Sequence, residues 1–122
     1  VGLYYEDQKK EAARRAEEFR GQRIPKFLDW FELVMEANGA TKEKPHLVGR
    51  SLTYADLSLF HTVGGLKHAF PKAMGRLMKN RPLVSSLHSK VGKRPKIAAY
   101  MKSGRRQPFG DGIFRHYSEL DR

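Results

Sequence analysis

The sequence of 122 residues contains no cysteine, which excludes disulfides, thiolate metal sites and cysteine nucleophiles together. No apolar run approaches the length of a membrane span, and the first residues do not follow a signal-peptide pattern. Lack of cysteine favours an intracellular location. We therefore expect a soluble, cytoplasmic protein that has no membrane partner.

Acidic residues are absent from positions 57 to 110, although the chain carries a net charge of +11. Such a surface attracts polyanions. Aromatic residues are not interleaved with the lysines and arginines, however, and no helix-turn-helix, RNA-recognition or KH signature is present. We therefore favour a solvated cationic surface without a nucleic-acid partner. Non-specific RNA binding, with an affinity that falls steeply as salt rises, remains an alternative.

The composition that is present indicates one globular domain over residues 1–122, with 39% hydrophobic residues and seven phenylalanines. No stretch alternates with the period of a strand, so the predicted fold class is all-α. A long helix is predicted from Glu6 to Asn38, with a kink or break at Ile24 because Pro25 follows it. A helical core over 4–109 and a tail over 110–122 that folds back complete this prediction.

The stretch LTYADL predicts the start of a central helix. Thr53 and Asp56 have the spacing of an N-capping box, and Leu52 and Leu57 occupy the positions of a hydrophobic staple. The helix is predicted to run to about His68, and its apolar residues on nearly every side predict that protein surrounds it. Two adjacent glycines, at 64 and 65, predict close approach of another backbone.

Two further helices are predicted to open at Pro82 and Pro95, since proline suits the first turn of a helix. The five histidines lack the HExxH type of spacing, so no metal site is predicted.

The motifs PKFLDWFE, LVGRSLTYADLSLF, AFP and RPLVSSLHSKVGKRPKIAAYM follow one another in an order that resembles the C-terminal helical domain of cytosolic glutathione transferases, of the sigma, pi and mu type. Gly49, Thr53 and Asp56 match the start of that family's buried helix, and Arg94 with Pro95 matches the link between its last two helices. The resemblance covers about residues 4 to 109, and nothing in the sequence matches the family's N-terminal thioredoxin-like domain.

The resemblance implies that the intact parent conjugates glutathione, as co-substrate, to hydrophobic electrophiles, as a homodimer and without another cofactor. It implies no catalytic residue in this chain, since the Tyr or Ser that activates the thiol belongs to the missing domain; a fragment alone is expected to be inactive. By position in the family, the expected lining of the electrophile pocket is Tyr4, Tyr5, Phe109 and Phe114. The alternative is a non-catalytic protein-interaction domain, because related domains are attached to translation factors and aminoacyl-tRNA synthetases.

Overall fold

The computed structural model describes residues 4–122, in which helices alternate with loops and no strand occurs. Its α-helices are α1 Lys9–Glu18, α2 Ile24–Ala37, α3 Tyr54–Ala69, α4 Pro71–Leu77, α5 Pro82–Lys93 and α6 Pro95–Lys102. Single 3-10 turns lie at Tyr5–Gln8, Met78–Asn80 and Ser118–Leu120. The predicted all-α fold class is confirmed. Within the described residues, none of these helices has the length and apolar character needed to span a bilayer.

A π-helical turn, Phe19–Arg23, joins α1 to α2, so that the three segments form one continuous helix. The backbone N–H of Ile24 donates to the carbonyl oxygen of Phe19, five residues earlier. Proline has no N–H and its ring collides with the carbonyl four residues before it, so a wider turn ahead of Pro25 removes that conflict. The disturbance predicted at Ile24 is therefore a π turn within a continuous helix, and not a break.

The core lies where α3 and α2 pack on α5, with α4 against α3. Its buried residues are Ile24, Leu28, Met35, Leu47, Leu59, Val63, Met74, Leu83, Val84, Leu87 and Val91. Burial of each such side chain stabilises the fold by about 1.5–3 kcal/mol before conformational entropy is subtracted.

Helix α3 is buried along one face, through Leu59, Val63 and Ala69 among others. The prediction that protein surrounds nearly every side is wrong at the first turn, where Tyr54 is 85% exposed and Leu57 is 39% exposed. Leu57 lines an open groove and not the closed core, so part of its side chain stays accessible to solvent.

Asp56 is completely buried and fixes both the start of α3 and the loop before it. Its Oδ2 accepts the N–H of Thr53 at 2.9 Å, and its Oδ1 accepts the N–H of Leu47 at 2.9 Å. Thr53 Oγ1 lies in the arrangement of a capping box but is buried with no hydrogen-bond partner. The N–H of Asp56 lies instead 3.1 Å from the backbone carbonyl of Thr53. The carboxylate therefore carries the cap.

Glu32 caps a different helix, because it reaches from α2 to the first turn of α5. Its Oε1 accepts the N–H of Leu83 at 2.8 Å, and its Oε2 accepts the N–H of Val84 at 3.0 Å. Glu32 is buried, and Asp29 one turn earlier forms an ion pair at 2.8 Å with Arg81, the residue before α5. Two carboxylates of α2 therefore hold the N-terminus of α5.

Asp121, in the tail, caps α4 in the same manner. Its two carboxylate oxygens accept the N–H groups of Lys72 at 2.6 Å and Ala73 at 3.0 Å, and the side chain is 1% exposed. Nearby, Arg20 and Arg76 both donate to the carbonyl oxygen of Arg122. The tail does fold back onto the helices, and one of its own residues is a buried part of the fold.

Candidate functional site

An open groove of about 1020 Å³ lies between α3, the C-terminal part of the bundle and the segment 105–114. Leu57, Phe60, His61 and Gly64 line it from α3, His88 from α5, and Ile97, Tyr100 and Met101 from α6. Its fourth side is the segment 105–114 itself. A concave surface of this size, with mostly apolar walls and a few polar groups, suits a small organic molecule.

The glycine pair of α3 allows the tail to form that side. A Cβ added at Gly65 would lie 2.5 Å from three ring carbons of Phe114, so the ring requires glycine there. At Gly64 an added Cβ would meet the Phe109 ring at an ordinary 3.7 Å. Close approach was predicted correctly, but the prediction that another backbone approaches is wrong, because the approaching groups are aromatic rings.

Phe109 is the centre of an aromatic cluster on this face. Its ring centroid lies 5.7 Å from that of His61, 5.5 Å from that of His68 and 5.8 Å from that of Phe114. The guanidinium of Arg106 lies 5.0 Å from the same ring. Ring pairs at such separations are favourable beyond their buried area, so the cluster gives the groove a defined aromatic wall.

His88 belongs to the apolar part of the groove. Its ring stacks on Phe60 with a centroid distance of 5.1 Å. Burial, with a smaller contribution from the positive charge of Lys67, lowers the pKa of His88 to about 4. The imidazole is therefore neutral near pH 7 and supplies a polar but uncharged edge.

The four residues expected to line a pocket fall in two places. Phe109 and Phe114 line the groove together. Tyr5 instead stacks on Tyr117 with a centroid distance of 4.0 Å and donates to Glu119 at 2.7 Å. That hydrogen bond raises the pKa of Tyr5 to about 12. Tyr4 is 78% exposed, and neither tyrosine is part of the groove lining.

Several of the histidine and carboxylate side chains outside the groove contact backbone groups of the fold. Residues 4–122 contain no group of three or more His, Cys, Asp or Glu side chains arranged to hold a metal ion. His116 lies with its Nδ1 3.0 Å from the carbonyl oxygen of Ala69, and the buried carboxylates bind helix N-termini.

Sequence reasoning missed most of the groove. Leu57, Phe60, His61 and Gly64 have offsets of 0, 3, 4 and 7, which is one face of a helix, so the stripe was present in the sequence. The sequence interpretation makes Leu57 a staple residue on an enclosed helix, and not part of a groove. The contribution of Tyr100 and Met101 from α6 required knowledge of how the helices pack.

The fold and the groove together define a class: an all-α domain in which α2, α3 and α6 pack on α5, and in which the segment after α6 closes a groove against α3. The model of the family described as glutathione S-transferase, C-terminal domain, matches residues 1–104. The chain therefore belongs to this family.

Curated relatives agree with that assignment. The chain is 28% identical over 85 residues to a glutathione S-transferase of Plasmodium falciparum (isolate 3D7), a match that covers 68% of this chain and 38% of the relative. It is 26% identical over 83 residues to a glutathione S-transferase of Plasmodium yoelii yoelii, covering 68% of this chain and 36% of the relative. The chain thus spans less than two fifths of the length of these relatives.

Proposed function

We propose that the parent protein conjugates the thiolate of glutathione to hydrophobic electrophiles, and that this domain supplies part of the electrophile pocket. Membership of the glutathione S-transferase C-terminal domain family supports the activity. The observation that carries the pocket role is the groove in which Phe109 and Phe114 meet. Glutathione is co-substrate, and the homodimer implied by the family resemblance and the cytoplasmic location expected from the sequence belong to the same proposal.

The chemistry divides between this chain and the rest of the parent. A thiol with a pKa of about 8.5 must lose its proton near neutrality before it attacks, and a hydrogen bond to the sulfur anion favours that loss. With a chlorinated aromatic, sulfur bonds to the ring carbon, and chloride leaves with the electrons of the broken C–Cl bond. The thiolate-stabilising group is assigned to the rest of the parent, so the 122-residue chain alone is expected to be inactive.

The work of this domain is to bind and orient the electrophile. The rings of Phe109 and Phe114 form a wall against which an aromatic electrophile packs, and the apolar side chains of α3 and α6 exclude water from the reacting atoms. When the electrophile is bound in one orientation beside the thiolate, the two react as if they belonged to one molecule, which lowers the entropic cost of their meeting. Tyr4 and Tyr5 lie outside this groove.

The test is conjugation of glutathione to a chlorinated aromatic by the intact parent. Phe109→Ala is expected to raise KM for the electrophile about five- to tenfold while changing KM for glutathione less than about twofold. Phe27→Ala is the matched control, because Phe27 is 45% exposed on α2 and lies outside the groove. Absence of turnover together with absence of retention on immobilised glutathione would refute the activity, and equal effects of both variants would refute the pocket role.

A second candidate function is a non-catalytic protein-interaction domain. Phe27, Trp30 and Leu33 on α2 are 45%, 60% and 58% exposed, which is unusual for side chains of this kind at helical spacing. Co-purification of the parent with translation factors, lost in a Trp30→Glu variant, would favour this function. A parent that turns over electrophiles and does not co-purify would exclude it.

A further inference from the structure

The groove combines its aromatic wall with two arginines. Arg105 and Arg106 line it at the point where the chain leaves α6, and the guanidinium of Arg106 lies over the Phe109 ring. Arg105 is exposed and Arg106 is half-buried. Neither guanidinium has a carboxylate within ion-pair distance among residues 4–122, whose ion pairs involve other side chains. Two unpaired cations therefore lie beside an apolar surface.

Few acidic residues near the groove can neutralise the charges of Arg105 and Arg106. No Asp or Glu occurs between positions 57 and 110, which include α4 to α6 and most of α3. Asp111 is the one acidic residue of the groove lining, and it is exposed. His88 is neutral near pH 7, because burial holds its pKa well below that value. The positive charge of the groove therefore comes from its arginine end.

An arginine stacked on an aromatic ring keeps its planar fork of donors free at the edges. Such a fork matches the two oxygens of a carboxylate or sulfonate, and charge-assisted bonds of this type are about twice as strong as neutral ones. Because Arg106, Phe109 and Phe114 line the same groove, an aromatic molecule that packs beside the two rings brings a substituent within reach of Arg106. A neutral molecule of the same shape leaves that guanidinium without a partner.

We propose that the groove selects aromatic electrophiles that carry a carboxylate or sulfonate, with Arg106, assisted by Arg105, as the specificity-determining residue. This inference rests on the proposed function in one respect, that the bound molecule is an electrophile which reacts with glutathione. Binding of an aromatic anion can be tested without turnover. Asp111 opposes it, so removal of the Asp111 charge strengthens anion binding.

Binding to the 122-residue chain is measured with a pair of fluorescent probes that differ by one group. 1-Anilinonaphthalene-8-sulfonate carries the anion, and N-phenyl-1-naphthylamine is the same ring system without it. Arg106→Gln is expected to weaken the affinity for the sulfonate probe about tenfold and the affinity for the neutral probe less than about twofold. Asp111→Asn is expected to raise the affinity for the sulfonate probe about two- to threefold and to leave the affinity for the neutral probe unchanged.

Lys79→Gln is the control for net charge, because Lys79 is exposed and lies outside the groove lining. Circular dichroism verifies that each variant is folded. The proposal is overturned if Arg106→Gln weakens both probes in parallel, if Lys79→Gln has the same effect as Arg106→Gln, or if neither probe binds.

Turnover by the intact parent separates this proposal from the proposed function. The substrates are 4-chloro-3,5-dinitrobenzoate and its neutral methyl ester, which share the leaving group. Arg106→Gln is expected to lower the ratio of kcat/KM for the acid to kcat/KM for the ester about tenfold. If both are turned over and the ratio does not change, the inference fails and the proposed function stands. If neither is turned over although the probes behave as expected, the proposed function fails and the anion site stands.

Discussion

Replacement of Glu32 by glutamine tests whether a side chain of α2 holds the N-terminus of α5. The carboxylate accepts two backbone N–H groups, from Leu83 and Val84, in a buried position. Glutamine keeps one acceptor oxygen, but its NH₂ group faces the other N–H, which is then buried without a partner. Glu32→Gln therefore removes one charge-assisted hydrogen bond and the interaction of the charge with the helix dipole.

The expected loss follows from those two terms. A hydrogen bond to a charged group contributes about 1.5–3 kcal/mol and the dipole about 0.3–1 kcal/mol, so the free energy of unfolding falls by about 2–4 kcal/mol. Small domains unfold with an entropy of about 2.1 cal/mol/K per residue, which for this length gives about 0.26 kcal/mol/K. The melting temperature is therefore expected to fall by about 8–15 °C.

Thermal unfolding followed by circular dichroism measures the fall, and Glu36→Gln is the matched control. Glu36 lies one turn later on α2 and is exposed, so its replacement is expected to change the free energy of unfolding by less than about 0.5 kcal/mol. Amide exchange at Leu83 and Val84 should rise selectively in Glu32→Gln. A melting temperature within about 2 °C of the wild type, or equal losses in both variants, would refute the capping role.

Three other outcomes follow from the same contacts. Asp56→Ala is expected to lower the free energy of unfolding by about 3–5 kcal/mol, measured by urea denaturation, because the N–H groups it binds lose their partner; an unchanged midpoint contradicts this. Gly65→Ala should displace the Phe114 ring and make the tail more sensitive to trypsin, whereas Gly64→Ala should not, and equal digestion of the two contradicts the close contact. His88→Gln should flatten the dependence of stability on pH. Because the pKa of His88 is lowered to about 4 in the folded chain, only the unfolded chain takes up this proton as pH falls from about 6.5, which destabilises the wild type. After allowance for the partial exposure of the ring, the difference between wild type and His88→Gln should grow by about 1 kcal/mol between pH 7 and pH 4, and parallel curves contradict it.

Residues within a few positions of one another determined much of the fold. The start of α3 was predictable because Thr53 and Asp56 are three residues apart, and a cap over that distance needs no tertiary contact. The prolines that open α5 and α6 acted through their fixed backbone angle, which is equally local. The groove was less predictable. Phe109 and Phe114 were chosen by resemblance to a family, while the stripe on α3 that faces them was not connected with them.

Packing decided what the sequence by itself did not. Helices α4 and α5 lie in the acid-free stretch, so the carboxylates at their N-termini come from elsewhere in the chain: Asp121 lies 48 residues from Ala73, and Glu32 lies 51 residues from Leu83. No local pattern marks such pairs, because the donors are backbone groups that every residue possesses and the acceptor arrives only when helices meet. Likewise, the two glycines of α3 predicted a close contact with another part of the chain, but only the path of the tail determined that the contacting groups are aromatic rings.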